Sequence, residues 1–254
     1  MGPSQSKGEI VKRRTLDLVF VVGGVLLAAL LGVLGLVLRS NANFAKSYVK
    51  DQLTEQQITF TAADKLQTND AWRAALAKSF NGGTAKVDAF VKDNDLTAEA
   101  DTACLKKYAG LPLASGKQAE CYANNYIRLH LKDGSIVDGT SYTYASIGAL
   151  QTSLRTQVAD AKAKSDTTAA TAAQTKLDSV TATRDTLFRG ETLRGLLLTS
   201  YGFSIFGEKA ATAATVALLA GLVLLLASIA GALHAWRTPK ERVVHVGRSE
   251  HAVA

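Results

Sequence analysis

Two uninterrupted apolar stretches set the pattern of this chain: Leu18 to Leu38 near one end and Ala210 to Leu233 near the other, neither containing a charged side chain. At ~1.5 Å per residue, each is long enough to cross a hydrocarbon core of ~30 Å. Between them the apolar positions recur mostly with a helical period. Phe44, Tyr48, Val49 and Leu53 alternate with Lys46, Lys50, Asp51 and Glu55, so the first apolar helix is expected to continue, or restart, as an amphipathic one. Ile58 to Thr61 breaks the pattern as an extended link. Asn69-Asp70 offers a cap for a helix carrying Trp72, Leu76 and Phe80 that Gly82-Gly83 would end, and Val87, Phe90 and Val91 mark a short further helix. The acidic stretch from Asp93 to Asp101 reads as a solvated surface segment.

Gly110-Leu111-Pro112 is a turn signal. From Lys117 to Asp133, residues Cys121, Tyr122, Asn125, Tyr126, Leu129 and His130 fall at helical spacing, while Ile127, Leu129 and Leu131 alternate as a strand would. The length favours helix. Gly134, and then Gly139-Thr140, would end it and start another from Tyr142 through Ile147, Leu150, Leu154 and Val158. Eight of the twelve residues from Ser165 to Lys176 are alanine or threonine, which suits an exposed helical turn, a mobile linker or, less simply, a glycosylated segment. The heptad pattern fails between Val158 and Leu177, so a long coiled coil is not expected.

Leu177, Val180, Leu187 and Phe188 restore a helix that leads into the second apolar run. Its approach, with Leu193, Leu196, Leu197, Leu198, Tyr201, Phe203, Ile205 and Phe206, carries more apolar surface than an exposed linker needs. The simpler reading is an interfacial helix packed on lipid and on the Phe44 to Leu53 helix. The sharper one is a partner-docking surface made of Arg189, Glu191, Arg194, Tyr201, Phe203 and Phe206.

The fold expected is therefore mainly α: an integral membrane protein with two transmembrane helices flanking an extracytoplasmic helical domain. The divisions are a cytoplasmic tail over 1–14, a first transmembrane helix over 15–39, the domain over 40–209, a second transmembrane helix over 210–236 and a cytoplasmic tail over 237–254. The net charge of +7 and the pI near 9.4 fit this topology better than a nucleic-acid partner. Lys7, Lys12, Arg13 and Arg14 precede the first run against Arg39 alone just after it, and Arg237, Lys240, Arg242 and Arg248 follow the second. Lysine and arginine concentrate on the cytoplasmic side of membrane helices, so both ends are expected there. Trp236 suits an interfacial anchor. A cleaved secretory signal is the alternative at the amino end, with Ser40-Asn41-Ala42 as the cleavage site, but an apolar run this long exceeds the usual ~7–15 residues.

Small residues recur every four positions in the first run at Gly24, Ala28 and Gly32, and in the second at Ala217 and Gly221 and again at Ala227 and Gly231. Such spacing lets helix backbones approach closely in lipid. Pairing within one chain is the more economical arrangement, and homo-oligomerisation is left open. Neither run has an ionisable residue near its centre; Asp17 sits at the edge. A lone two-helix ion channel or proton-coupled transporter is disfavoured for that reason.

Cys104 and Cys121 are the two cysteines. In an oxidising compartment they would form a disulfide, stabilising by about 3 kcal/mol in the loop-entropy model; otherwise they are two reduced, buried small residues. The chain lacks nucleophile-elbow, phosphate-loop, His-Glu-x-x-His and Cys-x-x-Cys motifs. His130 is the single histidine between the apolar runs, with His234, His245 and His251 at the carboxyl end. A facial iron site needs two histidines and a carboxylate converging on one metal. No catalytic residue, metal ligand or cofactor is expected, and His130 reads as a surface or packing residue. The partners expected are membrane lipid and a membrane protein.

Three segments resemble a family of actinobacterial two-helix membrane proteins of unknown function: FAKSYVKDQLTEQQITF (Phe44 to Phe60), KYAGLPLASGKQAECYANNYIRLHLK (Lys107 to Lys132) and TLFRGETLRGLLLTSYGFSIFG (Thr186 to Gly207). The chain departs from the pattern at Thr61, where the family has proline, and in its longer Ala/Thr segment. The resemblance implies a membrane anchor and a shared soluble shell. Such proteins often carry the label "aromatic ring-opening dioxygenase", but no catalytic residue carries over.

Overall fold

A computed structural model describes residues 9–239 and 243–246. It is mainly helical and divides into two units, one formed by the chain up to Phe44 and from Phe206 onward, the other by Ala45–Ile205. Lys7, Lys240, Arg242, Arg248 and His251 of the expected tails lie outside the described residues.

The first unit holds the two apolar runs. They are parts of helices α1 (Arg13–Glu55) and α8 (Thr167–Arg237), both long and apolar enough to cross a membrane. Only 11% and 17% of their most apolar windows is buried inside the protein, whereas the core helix of a soluble domain would be mostly covered. Leu26, Leu30, Val33 and Leu36 of α1 and Val216, Leu219, Val223 and Leu226 of α8 all face outward.

The covered positions follow a different rhythm from the one expected. On α1 they include Val21, Gly24, Ala28, Leu31, Gly35 and Leu38, with Gly32 beside them; on α8, Ala214, Ala217, Gly221, Leu224, Ser228, Gly231 and Ala235, with Leu218 beside them. Alternating steps of three and four residues describe a heptad seam, which keeps one stripe on the partner where a strict four-residue repeat would drift off it. Small side chains fill this seam. A Cβ on Gly35 would lie 2.6 Å from the Leu218 Cγ, one on Gly24 2.3 Å from the Ser228 Oγ, and one on Gly221 3.2 Å from the Ala28 carbonyl oxygen. Gly24, Ala28, Ala217 and Gly221 therefore lie in the seam as expected. Gly32 is half-buried beside the seam, its backbone nitrogen 3.6 Å from where a Cβ on Gly221 would lie, although a Cβ on Gly32 itself would meet nothing within 4 Å; Gly35 joins it in the contact. Ala227 is exposed.

Two short strands pair in this unit. Strand β1 (Glu9–Lys12) runs antiparallel to β4 (Val243–Val246), with Glu9 opposite Val246 and Lys12 opposite Val243. Strand pairing at the two tails was not anticipated.

The second unit is built on the outer part of α1 and the first part of α8. Between them come α2 (Asn69–Ser79), α3 (Thr84–Asp93), α4 (Ala103–Tyr108), α5 (Gly116–Cys121), α6 (Arg128–Gly134) and α7 (Ile147–Ala163). A main core gathers Val49, Leu53, Phe60, Leu105, Leu113, Ile147, Leu154, Val180, Leu187 and Leu197. A second cluster gathers Trp72, Leu76, Phe80, Val87 and Phe90 of α2 and α3 around Leu129 of α6.

Several local expectations hold. The link after α1 is extended, with Phe60 N–H donating to the Leu111 carbonyl (3.0 Å) and Leu113 N–H to that of Ile58 (2.9 Å). Gly82, at φ +82°, ends α2. The segment from Gly116 to Gly134 is helical, not a strand.

Others are corrected. Thr68 caps α2, its hydroxyl accepting from Ala71 N–H at 3.4 Å, and Asn69-Asp70 form the first turn. The helix expected from Tyr142 begins at Ile147, because Asp138-Gly139, both at positive φ (50° and 73°), turn the chain into a hairpin of β2 (Ile136–Val137) and β3 (Thr140–Ser141). A two-residue Asp-Gly loop favours that hairpin because both positions need left-handed φ. Thr143 and Ser146 then cap the next helix reciprocally: Thr143 N–H donates to Ser146 Oγ (2.8 Å) and Ser146 N–H to Thr143 Oγ1 (3.1 Å). The Ala/Thr segment belongs to α8. Ser165, at φ +55°, reverses the chain, and the Asp166 carboxylate caps the new helix by accepting from Ala169 N–H at 2.9 Å. The heptad break after Val158 is this reversal.

Candidate functional site

The polar groups that the second unit withdraws from water collect around the segment joining α5 to α6. Tyr122–Ile127 is a π-helical turn there. One extra residue per turn displaces a backbone N–H from its α-helical acceptor, an arrangement found mostly where a site needs a side chain re-aimed. The Asn125 side-chain amide donates to the Cys121 carbonyl at 3.2 Å, the acceptor that an α-helix would give to the Asn125 backbone. The same amide nitrogen lies 3.2 Å from Cys104 Sγ.

Cys104 and Cys121 are joined in a disulfide, their Cα atoms 6.0 Å apart, so the bridge ties α4 to α5 immediately before the π turn. Downstream, Tyr122, Tyr126 and His130 form a ladder. The two tyrosine rings stack at 4.7 Å between centroids, and the His130 imidazole meets Tyr126 edge-on at 4.4 Å. Phe60 closes the inner end against Tyr122 at 5.3 Å. Burial, with the negative potential of Tyr126 and Glu99 adding to it, pushes the Tyr122 hydroxyl up to about 12.

At the outer end of the ladder, His130 Nε2 lies 2.7 Å from Glu99 Oε1. Glu99 is only 3% exposed, although it lies in the acidic stretch expected to be solvated. A short 3-10 turn, Glu99–Asp101, turns this one side chain inward, where its Oε2 accepts from Gln67 N–H at 3.1 Å while Ala100 N–H donates to the Gln67 carbonyl at 3.1 Å. One turn beyond His130, Asp133 Oδ2 accepts from Trp72 Nε1 at 2.8 Å, and its Oδ1 is buried without a hydrogen-bond partner. Burial raises the Asp133 carboxyl to about 6, against the lowering effects of the Trp72 hydrogen bond and of His130.

This arrangement holds an imidazole half in solvent against one buried carboxylate, with a second carboxyl close by. The described residues contain no group of three or more His, Cys, Asp or Glu placed to hold a metal ion. Sequence reasoning placed Tyr122, Tyr126 and His130 at one helical spacing but missed Glu99 as the partner of His130 and the neighbouring Asp133–Trp72 pair. The available signal was Trp72 itself, whose buried indole N–H requires an acceptor.

The docking residues expected on α8 have differing surroundings. Arg189 pairs with Asp185 at 2.9 Å, while Arg194 reaches Glu191 and Asn124, each at 3.2 Å, and is tied into the domain. Tyr201 is half-buried; Phe203 is 40% exposed and meets the Tyr48 ring edge-on at 6.0 Å. In the other unit, Phe206 is 75% exposed. Phe188, Leu196 and Phe203, spaced by eight and seven residues, are the large apolar side chains of α8 that this unit leaves exposed, Phe188 beside Tyr144 and Phe203 beside Tyr48.

Family models, curated proteins and solved structures yield no match to this chain.

Proposed function

We propose that this is a non-enzymatic integral membrane protein, with both termini cytoplasmic, whose disulfide-bridged helical domain stands outside the cytoplasm and binds a membrane-protein partner in an envelope complex. The observation carrying this reading is the combination of two outward-facing apolar helices with a cysteine bridge in the domain between them. Structural disulfides persist where thiols are not kept reduced. The adjoining strands β1 and β4 support a topology with both ends on one side. Exposed Phe188, Leu196 and Phe203 mark the surface favoured for the partner. Kinship with the actinobacterial two-helix membrane proteins belongs to the same reading, on the three segments quoted above.

Two experiments test it. Cysteines introduced at Ser6 and Ser165 should label from opposite sides of the membrane; labelling of both from outside refutes the topology. Crosslinking and affinity purification from native membranes should recover a second membrane protein, and Phe203→Ser with Leu196→Ser should lose it while the chain still folds. Recovery of a lone monomer counts against the partner.

The Glu99–His130 pair favours a second reading, an extracytoplasmic ligand-binding or sensing domain. A thermal-shift screen of the full chain with small molecules tests that alternative, and an absence of hits disfavours it.

A further inference from the structure

Strands β1 and β4 form a two-stranded sheet of four residues a strand, and no third strand joins it among the described residues. A ribbon this small is marginally stable at best in water, so something beyond its own ladder must favour it. Charge makes the pairing harder. The chain over 1–17 and 237–254 holds eight lysines and arginines against four aspartates and glutamates. Lys12 is opposite Val243, and Lys240 and Arg242 come just before Val243 in sequence. Pairing the strands therefore gathers two basic tails, at a cost in self-repulsion.

Lys12 and Arg237 are exposed and Arg13 and Arg14 half-buried, and none of the four takes part in an ion pair among the described residues. Asp17, one turn along α1 from Arg13 and Arg14, can answer one of these charges, which leaves the cluster positive. The depth of the cluster indicates what answers the rest. Arg13 begins α1 five residues before the first apolar run, and Arg237 ends α8 four residues after the second. At ~1.5 Å per residue they stand ~7.5 and ~6 Å outside the hydrocarbon. Phospholipid headgroups occupy that layer, ~5–7 Å thick on each face. A leaflet carrying anionic lipid attracts basic residues there, over about one Debye length, ~8 Å at physiological salt.

We propose that the β1–β4 ribbon forms on an anionic phospholipid surface, whose negative charge neutralises the basic residues of both tails and so allows the strands to pair. The inference rests on the helices spanning a membrane with both ends at one face. Failure of that premise shows as no cross-link in any lipid in the experiment below, whereas failure of the inference alone leaves a cross-link indifferent to lipid charge.

The test uses the full chain carrying Val11→Cys and Val244→Cys, which are paired in the register and leave every charge and the Cys104–Cys121 bridge unaltered. The protein is placed in nanodiscs of phosphatidylcholine alone, or of phosphatidylcholine and phosphatidylglycerol in equal parts. A short thiol-specific cross-linker is added, and the intramolecular product is quantified by mass spectrometry. The cross-link should form at least about tenfold faster with phosphatidylglycerol, since each basic residue at an anionic surface contributes about fivefold. Salt at about 1 M, where the Debye length falls to ~3 Å, should abolish the difference. Lys12→Gln with Arg237→Gln should raise the rate in phosphatidylcholine and weaken the dependence on phosphatidylglycerol several-fold, whereas Lys12→Arg with Arg237→Lys should preserve that dependence. If the first cysteine pair gives no product in any lipid, Ile10→Cys with His245→Cys repeats the measurement one register position away, and failure of both overturns the proposal. Equal rates in the two lipids, a difference that survives high salt, or a lipid dependence unchanged by the glutamine substitutions also overturns it. So does soluble polyglutamate that restores the full rate in phosphatidylcholine, which would reassign the basic surface to an acidic protein.

Discussion

Glu99 and His130 meet at 2.7 Å, the carboxylate buried and the imidazole side chain 44% exposed, so that one member of the pair belongs to the core and the other to the surface. The two are consequently unequal in what their removal costs. Glu99 also receives the Gln67 N–H, which loses its acceptor without it, whereas the half-exposed His130 imidazole can turn to solvent. We expect Glu99→Ala to destabilise the protein by about 1–2 kcal/mol, the cost of one stranded buried donor. His130→Ala leaves the buried Glu99 carboxyl with the Gln67 N–H alone and should cost more, about 3 kcal/mol, in the range for removing one partner of a buried pair. Denaturant unfolding of the full chain, followed through the fluorescence of buried Trp72, measures both; equal costs would refute the asymmetry.

Asp133 should impose a pH dependence of the opposite sign to that of a salt-bridged carboxylate. Its folded value of about 6 lies above the ~3.9 of an exposed aspartate. The folded state thus holds the proton more tightly, and this stabilisation is complete below about pH 4 and fades as pH rises through about 6. Asp133→Asn keeps an acceptor for Trp72 Nε1 and removes the titration. Melting temperatures taken between pH 4 and pH 8 should fall less for this variant than for the unaltered protein, and the variant should be the more stable of the two at pH 8. Parallel curves would contradict the assignment.

Reduction of the Cys104–Cys121 bridge, or replacement of both residues by serine, should cost about 3 kcal/mol, the loop-entropy value for a bridge across 17 residues. Asn125 sits against Cys104 Sγ and caps the Cys121 carbonyl, so the loss should also reach the π turn. Hydrogen exchange at Tyr122 to Ile127 is the direct readout. Unchanged protection there would separate the bridge from the turn.

The helix seam predicts contrasting results for one substitution made at two places. Gly35→Ala drives a methyl into Leu218 and should destabilise the helix pair by about 1–3 kcal/mol. Gly32→Ala meets open space and should be neutral or stabilising by about 0.5–1 kcal/mol, as expected for glycine replaced within a helix. Thermal unfolding in detergent compares them. A harmful Gly32→Ala would reveal a neighbour outside this chain.

Much of the architecture was legible in the sequence, since long uncharged runs and 3.6-residue spacing act over many residues and reinforce one another. The apolar helices, the extended link at Ile58 to Thr61, the glycine stop after Phe80 and the cysteine pair follow from local chemistry. What escaped depended on distant partners. Nothing near Glu99 announces that Gln67 and His130 will enclose it, and Asp93 and Asp95 beside it give the segment a solvated character. Gly24, Ala28 and Gly32 follow a four-residue repeat; the addition of Gly35 comes from the drift of a helix against its neighbour over several turns. The Asp138-Gly139 hairpin was available from sequence and was overlooked because its strands are only two residues long. The π turn has no sequence signature of its own.

The strand pairing of the two tails has a consequence for a nicked chain. With Glu9 to Lys12 hydrogen-bonded along Val243 to Val246, and α1 seated on α8, a single cut at the exposed bend around Ser165 would leave two fragments still clasped at their far ends. A protease that opened that bend would produce two bands on a denaturing gel but one particle in detergent, and separately expressed halves split there should reassemble.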